Sequence, residues 1–264
     1  MTLPQPPKEM WKDKEQFIDW AIFLGYRGSI SHGLYDGNQG TIDDVDLISI
    51  CVPPQSYFYG LKEFGSRGTQ EAFEGKWDIV AYDIRKLVRM LAVGNPNVLS
   101  LLWLPSKYYL KNTEAWNILT LGRQLFATKN VYKSFAGYAN NQFKKMETGS
   151  YQGYMGAKRK ALFDKNGYDC KNASHLIRLL RLGSHFMLTG DMPVDRSEID
   201  AKELRDIKNG EYSLSKVKEM TEALFKEIIS AVEKSKLPEK PDFEAIDRLC
   251  QEVVKQGIED LHKE

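Results

Sequence analysis

The chain is poor in cysteine: Cys51, Cys170 and Cys250 are the only three in 264 residues. Their number is odd, they lie far apart, and no two have metal-ligand spacing, so neither a disulfide framework nor a cysteine metal site is expected. They read as small buried hydrophobes in a reducing compartment. No apolar run approaches the roughly 20 residues of a membrane-spanning helix. The opening MTLPQPPKEM lacks the apolar segment of a secretory signal. A cytoplasmic location with no membrane partner is therefore expected. Neither sign of charge is in excess, with 37 Lys and Arg against 36 Asp and Glu and a formal net charge of +1. Proteins that coat nucleic acid non-specifically are usually far more basic. Any contact with RNA or DNA would then run through a local patch. Internal repeats and low-complexity tracts are absent too.

What is present divides into two halves. Up to about residue 112 the pattern is mixed. KDKEQFIDWAIFLG reads as a short helix entering a strand, and DVDLISICV is an apolar, β-branched strand stopped by Pro53 and Pro54. EAFEGKWDIVAYDI alternates, with Trp77, Ile79 and Ala81 on one face and Asp78, Val80 and Tyr82 on the other. From Asp83 the period becomes helical: Ile84, Leu87, Val88 and Leu91 recur at helix spacing, with Asp83 as N-cap and Gly94 as terminator. NPNVLSLLWL starts another helix with Pro96 in its first turn, and Asn95 and Asn97 order a turn there. Beyond residue 112 only helical spacing is visible. The expectation is an α+β chain, with residues 1–112 as one domain and 113–264 as a helical one.

The stretch GYRGSISHGLYDGNQGTIDDVDLISICVPP raises a chemical question. Asp44 and Asp46, two apart on a strand, project to one face with Val45 turned away. Carboxylates so placed repel one another unless a cation meets them. Taken alone, DVD is compatible with solvated loop acids or with an oxygen site for a hard divalent ion such as magnesium. Asp43 reads as a loop acid. A third acid would complete a two-metal site, and Asp78 in the second strand is the best placed. Asp83 competes but has a capping role, and Glu74 precedes the apolar part of its strand. Gly28 and Ser29 follow a strand and begin a turn whose N–H groups, with the Ser29 hydroxyl, suit an anion. Gly33 permits close approach, and His32 serves the turn or meets a phosphate. In this order the parts make a phosphate cradle beside a metal site, which suits phosphoryl or nucleotidyl transfer.

The ordered residues GSISHG…DDVDL, followed by WDIVAYDIRKLVRMLAVGNPNVLSLLW, resemble the DNA polymerase beta superfamily of nucleotidyltransferases. More narrowly, they are similar to a bacterial and phage branch of predicted nucleotidyltransferases, some of which accompany RNA-repair ligases. The helical NASHLIRLLRLGSHFMLTGD extends the resemblance over most of the chain. It implies a minimal palm-like mixed sheet with flanking helices, then a helical domain closing the nucleotide cleft. It also implies transfer of a nucleoside monophosphate from a nucleoside triphosphate, ATP among them, to an RNA end, a protein side chain or a small molecule. Two Mg2+ or Mn2+ ions would assist. Gly28 and Ser29 match the family's turn, Asp44 and Asp46 its metal pair, and Asp78 its third carboxylate. The family often has arginine soon after the GS pair; here Ile30 follows and Arg27 precedes. Asp43 stands where serine is common, and the connection DGNQGTID is long. A nucleotide-binding regulator without turnover is the alternative from a different class.

In the helical half, Lys171, His175 and Arg178 fall at i, i+4 and i+7 on one face, with Arg181 at its edge. They are expected to hold the triphosphate tail, against the simpler reading of a solvated basic face. A second cluster, Lys158, Arg159 and Lys160 with Tyr151 and Tyr154 upstream, suits either a charged surface or single-stranded nucleic acid.

Overall fold

Five strands form one mixed sheet, and the sequence explains the central ones best. The computed structural model describes residues 3–35, 44–148 and 157–261. β1 (Ala21–Tyr26) and β2 (Val45–Cys51) are almost wholly buried, as continuous apolar runs require when both faces are covered. β3 (Thr69–Glu74) and β4 (Trp77–Asp83) form a hairpin, and β5 (Tyr109–Asn112) closes the far edge. The order across the sheet is β3-β4-β2-β1-β5. Only β2 and β4 pair in parallel; the other neighbours are antiparallel. The stretch expected to alternate from Glu71 through Ile84 is thus two strands, broken where Gly75 adopts φ +57°. β5 had no visible signal in the sequence. Among the described residues, the expectation of no strand beyond Asn112 agrees with the structure.

The helices are α1 (Gln16–Asp19), α2 (Gly28–Ser31), α3 (Ser56–Tyr59), α4 (Ile84–Ala92), α5 (Pro96–Leu99) and α6 (Glu114–Leu121). Then follow α7 (Val131–Thr148), α8 (Ala157–Asn166), α9 (Cys170–Thr189), α10 (Ala201–Lys208), α11 (Leu214–Lys234) and α12 (Phe243–Leu261). Asp83 caps α4 as expected: its Oδ1 accepts from the Arg85 N–H at 2.8 Å. Gly94, with φ +69°, follows the end of that helix. The helix expected from Pro96 is shorter, because the chain tightens into a 3-10 turn over Ser100–Trp103. Asn95 Oδ1 accepts from the Asn97 N–H at 2.9 Å, which is the expected turn.

The chain divides into two compact units. One comprises Met1–Ala92, Val98–Phe126 and Asp242–Glu264; the other comprises Val93–Asn97 and Ala127–Pro241. A boundary at residue 112 therefore falls inside the first unit, and the last helix returns to it. In that unit α6 packs on β1, and α12 packs on α6 and α4. Trp116 of α6 stacks on Phe23 of β1 with ring centroids 4.2 Å apart. In the second unit α9 is central, packed by α7, α8, α10 and α11. Among the described residues, no helix is long and apolar enough to cross a membrane.

Candidate active site

The parallel ladder sets Asp46 of β2 beside Asp78 of β4. Both acids sit near the start of their strands. Neighbouring residues in register share a sheet face, so the two carboxylates stand side by side. The next strand adds a third member: the Arg27 N–H, just past β1, donates to the Asp46 carbonyl at 2.9 Å. Arg27 Nη2 donates to Asp78 Oδ2 at 3.3 Å and lies 3.9 Å from Asp46 Oδ1. Arg27, Asp46 and Asp78 thus occupy adjoining positions across three strands. Each of these side chains is about one-third exposed, which makes the site open to solvent.

Burial is the largest influence on the Asp78 carboxyl and raises it above the usual range. The Arg27 guanidinium opposes that rise, while Asp46, Glu71 and Asp44 add to it. Asp44 is therefore within electrostatic reach of the pair. It lies one residue before β2 and is exposed, so strand alternation does not fix its direction. Among the described residues, no group of three or more His, Cys, Asp or Glu side chains is placed to hold a metal ion. Asp43 and the DGNQGTID connection lie outside the described residues.

The glycine turn meets these acids directly. Gly28 has φ +64°, and a Cβ on it would stand 2.1 Å from Asp46 Oδ2. Only a residue without a side chain leaves room for that carboxylate. Ser29 is half-buried one position on, and its carbonyl accepts from the Leu34 N–H at 2.9 Å. Gly33, with φ +68°, closes the turn, and His32 is buried within it. Asp83 is separate: it is 3% exposed and paired to Arg85, with Nη2 3.2 Å from Oδ2. Arg27 is the member that sequence reasoning did not place in the site. Its signal was its ladder position, one residue past β1 and next to the Asp46 strand.

In the second unit Lys171, His175 and Arg178 all fall on α9. Lys171 is exposed, while His175 and Arg178 are partly buried. Burial, then the charges of Arg178, Lys171 and Lys145, hold the His175 imidazole well below its ordinary value. The Tyr138 ring of α7 meets His175 edge-on at 5.6 Å. Burial also pushes Arg178 down to about 10, which leaves it cationic at neutral pH. Arg181 does not extend this stripe. It pairs with Asp200 at 2.7 Å and Glu203 at 2.6 Å. Arg159 of the second basic cluster is likewise committed, 2.6 Å from the helix-capping Asp169. Lys160 is exposed, and Tyr151, Tyr154 and the Lys158 side chain lie outside the described residues.

A family model described as the RNA repair pathway DNA polymerase beta family matches residues 14–252. No curated protein matches the chain significantly. With the match running through both compact units, the chain belongs to the RNA repair pathway DNA polymerase beta family.

Proposed function

We propose that this member of the RNA repair pathway DNA polymerase beta family is a metal-dependent nucleotidyltransferase. An acceptor hydroxyl attacks the α-phosphorus of a nucleoside triphosphate, the nucleoside monophosphate is transferred, and pyrophosphate leaves. The observation that carries this reading is the pairing of Asp46 and Asp78 in register, with a cationic side chain against both.

Three features support a fit to Mg2+ or Mn2+. The carboxylates are adjacent and partly solvated, so they form an open oxygen site. A guanidinium already stands in as their cation. The Gly28 turn, where a Cβ would overlap Asp46 Oδ2, lets that carboxylate stand directly against the turn. Asp46 and Asp78 would hold the metal, with Asp44 as the third, more exposed ligand; two ions are expected. When bound, the metal would offset phosphate charge and make the acceptor hydroxyl easier to deprotonate. Gly28 and Ser29 offer the turn and hydroxyl for a phosphate. On the second unit taken by itself, the α9 face of Lys171, His175 and Arg178 carries donors of a kind that suits phosphate oxygens. The family description favours an RNA end as acceptor over a protein side chain or a small molecule.

The test is incubation with labelled nucleoside triphosphates, Mg2+ or Mn2+, and separate RNA and protein acceptors. Label is expected on RNA, and Asp46→Asn and Asp78→Asn are each expected to lower transfer at least a hundredfold, roughly 3 kcal/mol of barrier. Wild-type turnover by Asp46→Asn would remove the metal assignment. Tight triphosphate binding with no transfer to any acceptor would leave the nucleotide-binding regulator as the reading.

A further inference from the structure

Arg27 is bound in an incomplete way. Its Nη2 reaches Asp78 at 3.3 Å, but it is 3.9 Å from Asp46, beyond hydrogen-bond range. Its Nε is buried and has no hydrogen-bond partner among the described residues. A guanidinium that serves only as structural cement usually forms two parallel, short bonds to a carboxylate. Arg196 does so in this chain, donating to both Asp200 oxygens at 2.6 and 2.7 Å. Arg159 and Arg85 also grip one acid through two nitrogens. Arg27 instead spreads a single nitrogen between two acids. It neutralises charge without locking either carboxylate.

We propose that Arg27 is the resident counter-cation of the Asp46–Asp78 pair, and that a divalent ion must displace it to load. This inference rests on the metal reading of the two acids. Its logic is electrostatic. Two carboxylates side by side and partly buried would repel in the metal-free fold. Arg27 relieves that repulsion and so holds the strand ends together before any metal arrives. The same guanidinium repels an incoming divalent cation and occupies oxygens that the ion needs. Arg27 thereby weakens metal affinity while stabilising the metal-free chain. Placed before the turn, the arginine lies next to the Asp46 strand.

The experiment is a Mn2+ titration of the whole chain without nucleotide, read by electron paramagnetic resonance. It compares wild type, Arg27→Met, Arg27→Lys and Asp46→Asn. Arg27→Met keeps side-chain length and removes the charge. It is expected to bind Mn2+ about tenfold more tightly than wild type. Arg27→Lys, which keeps a charge but not the fork, is expected to fall between them. In EDTA, Arg27→Met is expected to melt about 2–4 °C below wild type, and saturating Mn2+ should close that gap. Equal or weaker Mn2+ binding by folded Arg27→Met overturns the inference while leaving the metal site intact. If Arg27→Met does not fold, Arg27→Lys carries the same test, and affinity equal to or below wild type overturns it. Failure of wild type, Arg27→Met and Asp46→Asn alike to bind Mn2+ removes the metal reading itself, and this inference with it.

Discussion

Asp78 and Asp83 are five residues apart on one strand, yet their surroundings separate their roles. Asp78 is partly exposed, and burial outweighs Arg27 to raise its carboxyl above the ordinary range. A raised carboxyl contributes stability only where it is protonated, at acidic pH, and loses it as pH climbs through the folded value. Asp78→Asn is therefore expected to match wild type in stability at acidic pH and to gain on it toward neutrality, while losing transfer. Asp83 has different surroundings. It is buried, caps α4 and grips Arg85 through both oxygens. Asparagine can keep the cap but gives up the ion pair, so Asp83→Asn should cost about 2 kcal/mol with transfer retained. Urea unfolding at pH 4 and pH 7, beside the transfer assay, checks both. A transfer loss larger for Asp83→Asn would reverse the assignment. The capping role of Asp83 was legible in its place before a helix. Its arginine partner was not, because a cap signature says nothing about depth.

At the scale of elements, α9 shows what spacing can and cannot carry. The i, i+4, i+7 stripe of Lys171, His175 and Arg178 was readable from the helical period. That Arg181 leaves the stripe was not, since its acids come from α10 and the turn before it, which periodicity does not position. The strands divide similarly. β2 announced itself by length and β-branching, whereas β5 has four residues, too few to show a period. The β3–β4 hairpin hid because Gly75 interrupts an alternation that otherwise runs on. The consequence for α9 is a pH dependence. The folded chain holds His175 neutral, well below its ordinary value. A depressed group contributes stability that is present above the unfolded value, about 6.5, and is lost as pH falls below it. Wild type should lose stability from about pH 7 to pH 5 with a slope approaching about 1.4 kcal/mol per pH unit from this one group. His175→Gln should flatten that slope whatever it does to absolute stability. An unchanged slope would mean that His175 accepts its proton in the folded chain.

The whole molecule is organised against chain order. The sheet unit takes its last helix from the C-terminal end, after the chain has built the second unit. Sequence alone gives α12 an amphipathic face like those of α7 or α11, and nothing in that face says which core it covers. Two helical glycines resolve the matter by contact. A Cβ on Gly257 of α12 would stand 2.7 Å from Val52 Cγ2 and 2.8 Å from Val52 Cβ. That glycine lets α12 lie directly on the residue that follows β2. A Cβ on Gly137 of α7 would meet nothing within 4 Å. Alanine in a helix interior gains about 1 kcal/mol over glycine through backbone entropy, and that gain applies equally to both sites. At Gly137 it stands unopposed, so Gly137→Ala should raise the melting temperature of the second unit by about 2–4 °C. At Gly257 the overlap falls close to the backbone of Val52, where a rotamer change cannot relieve it, and overpacking costs roughly 1–3 kcal/mol. Gly257→Ala should therefore lower the melting temperature of the sheet unit. Differential scanning calorimetry of the two variants reads both effects. A Gly257→Ala variant as stabilised as Gly137→Ala would mean that α12 does not seat on Val52.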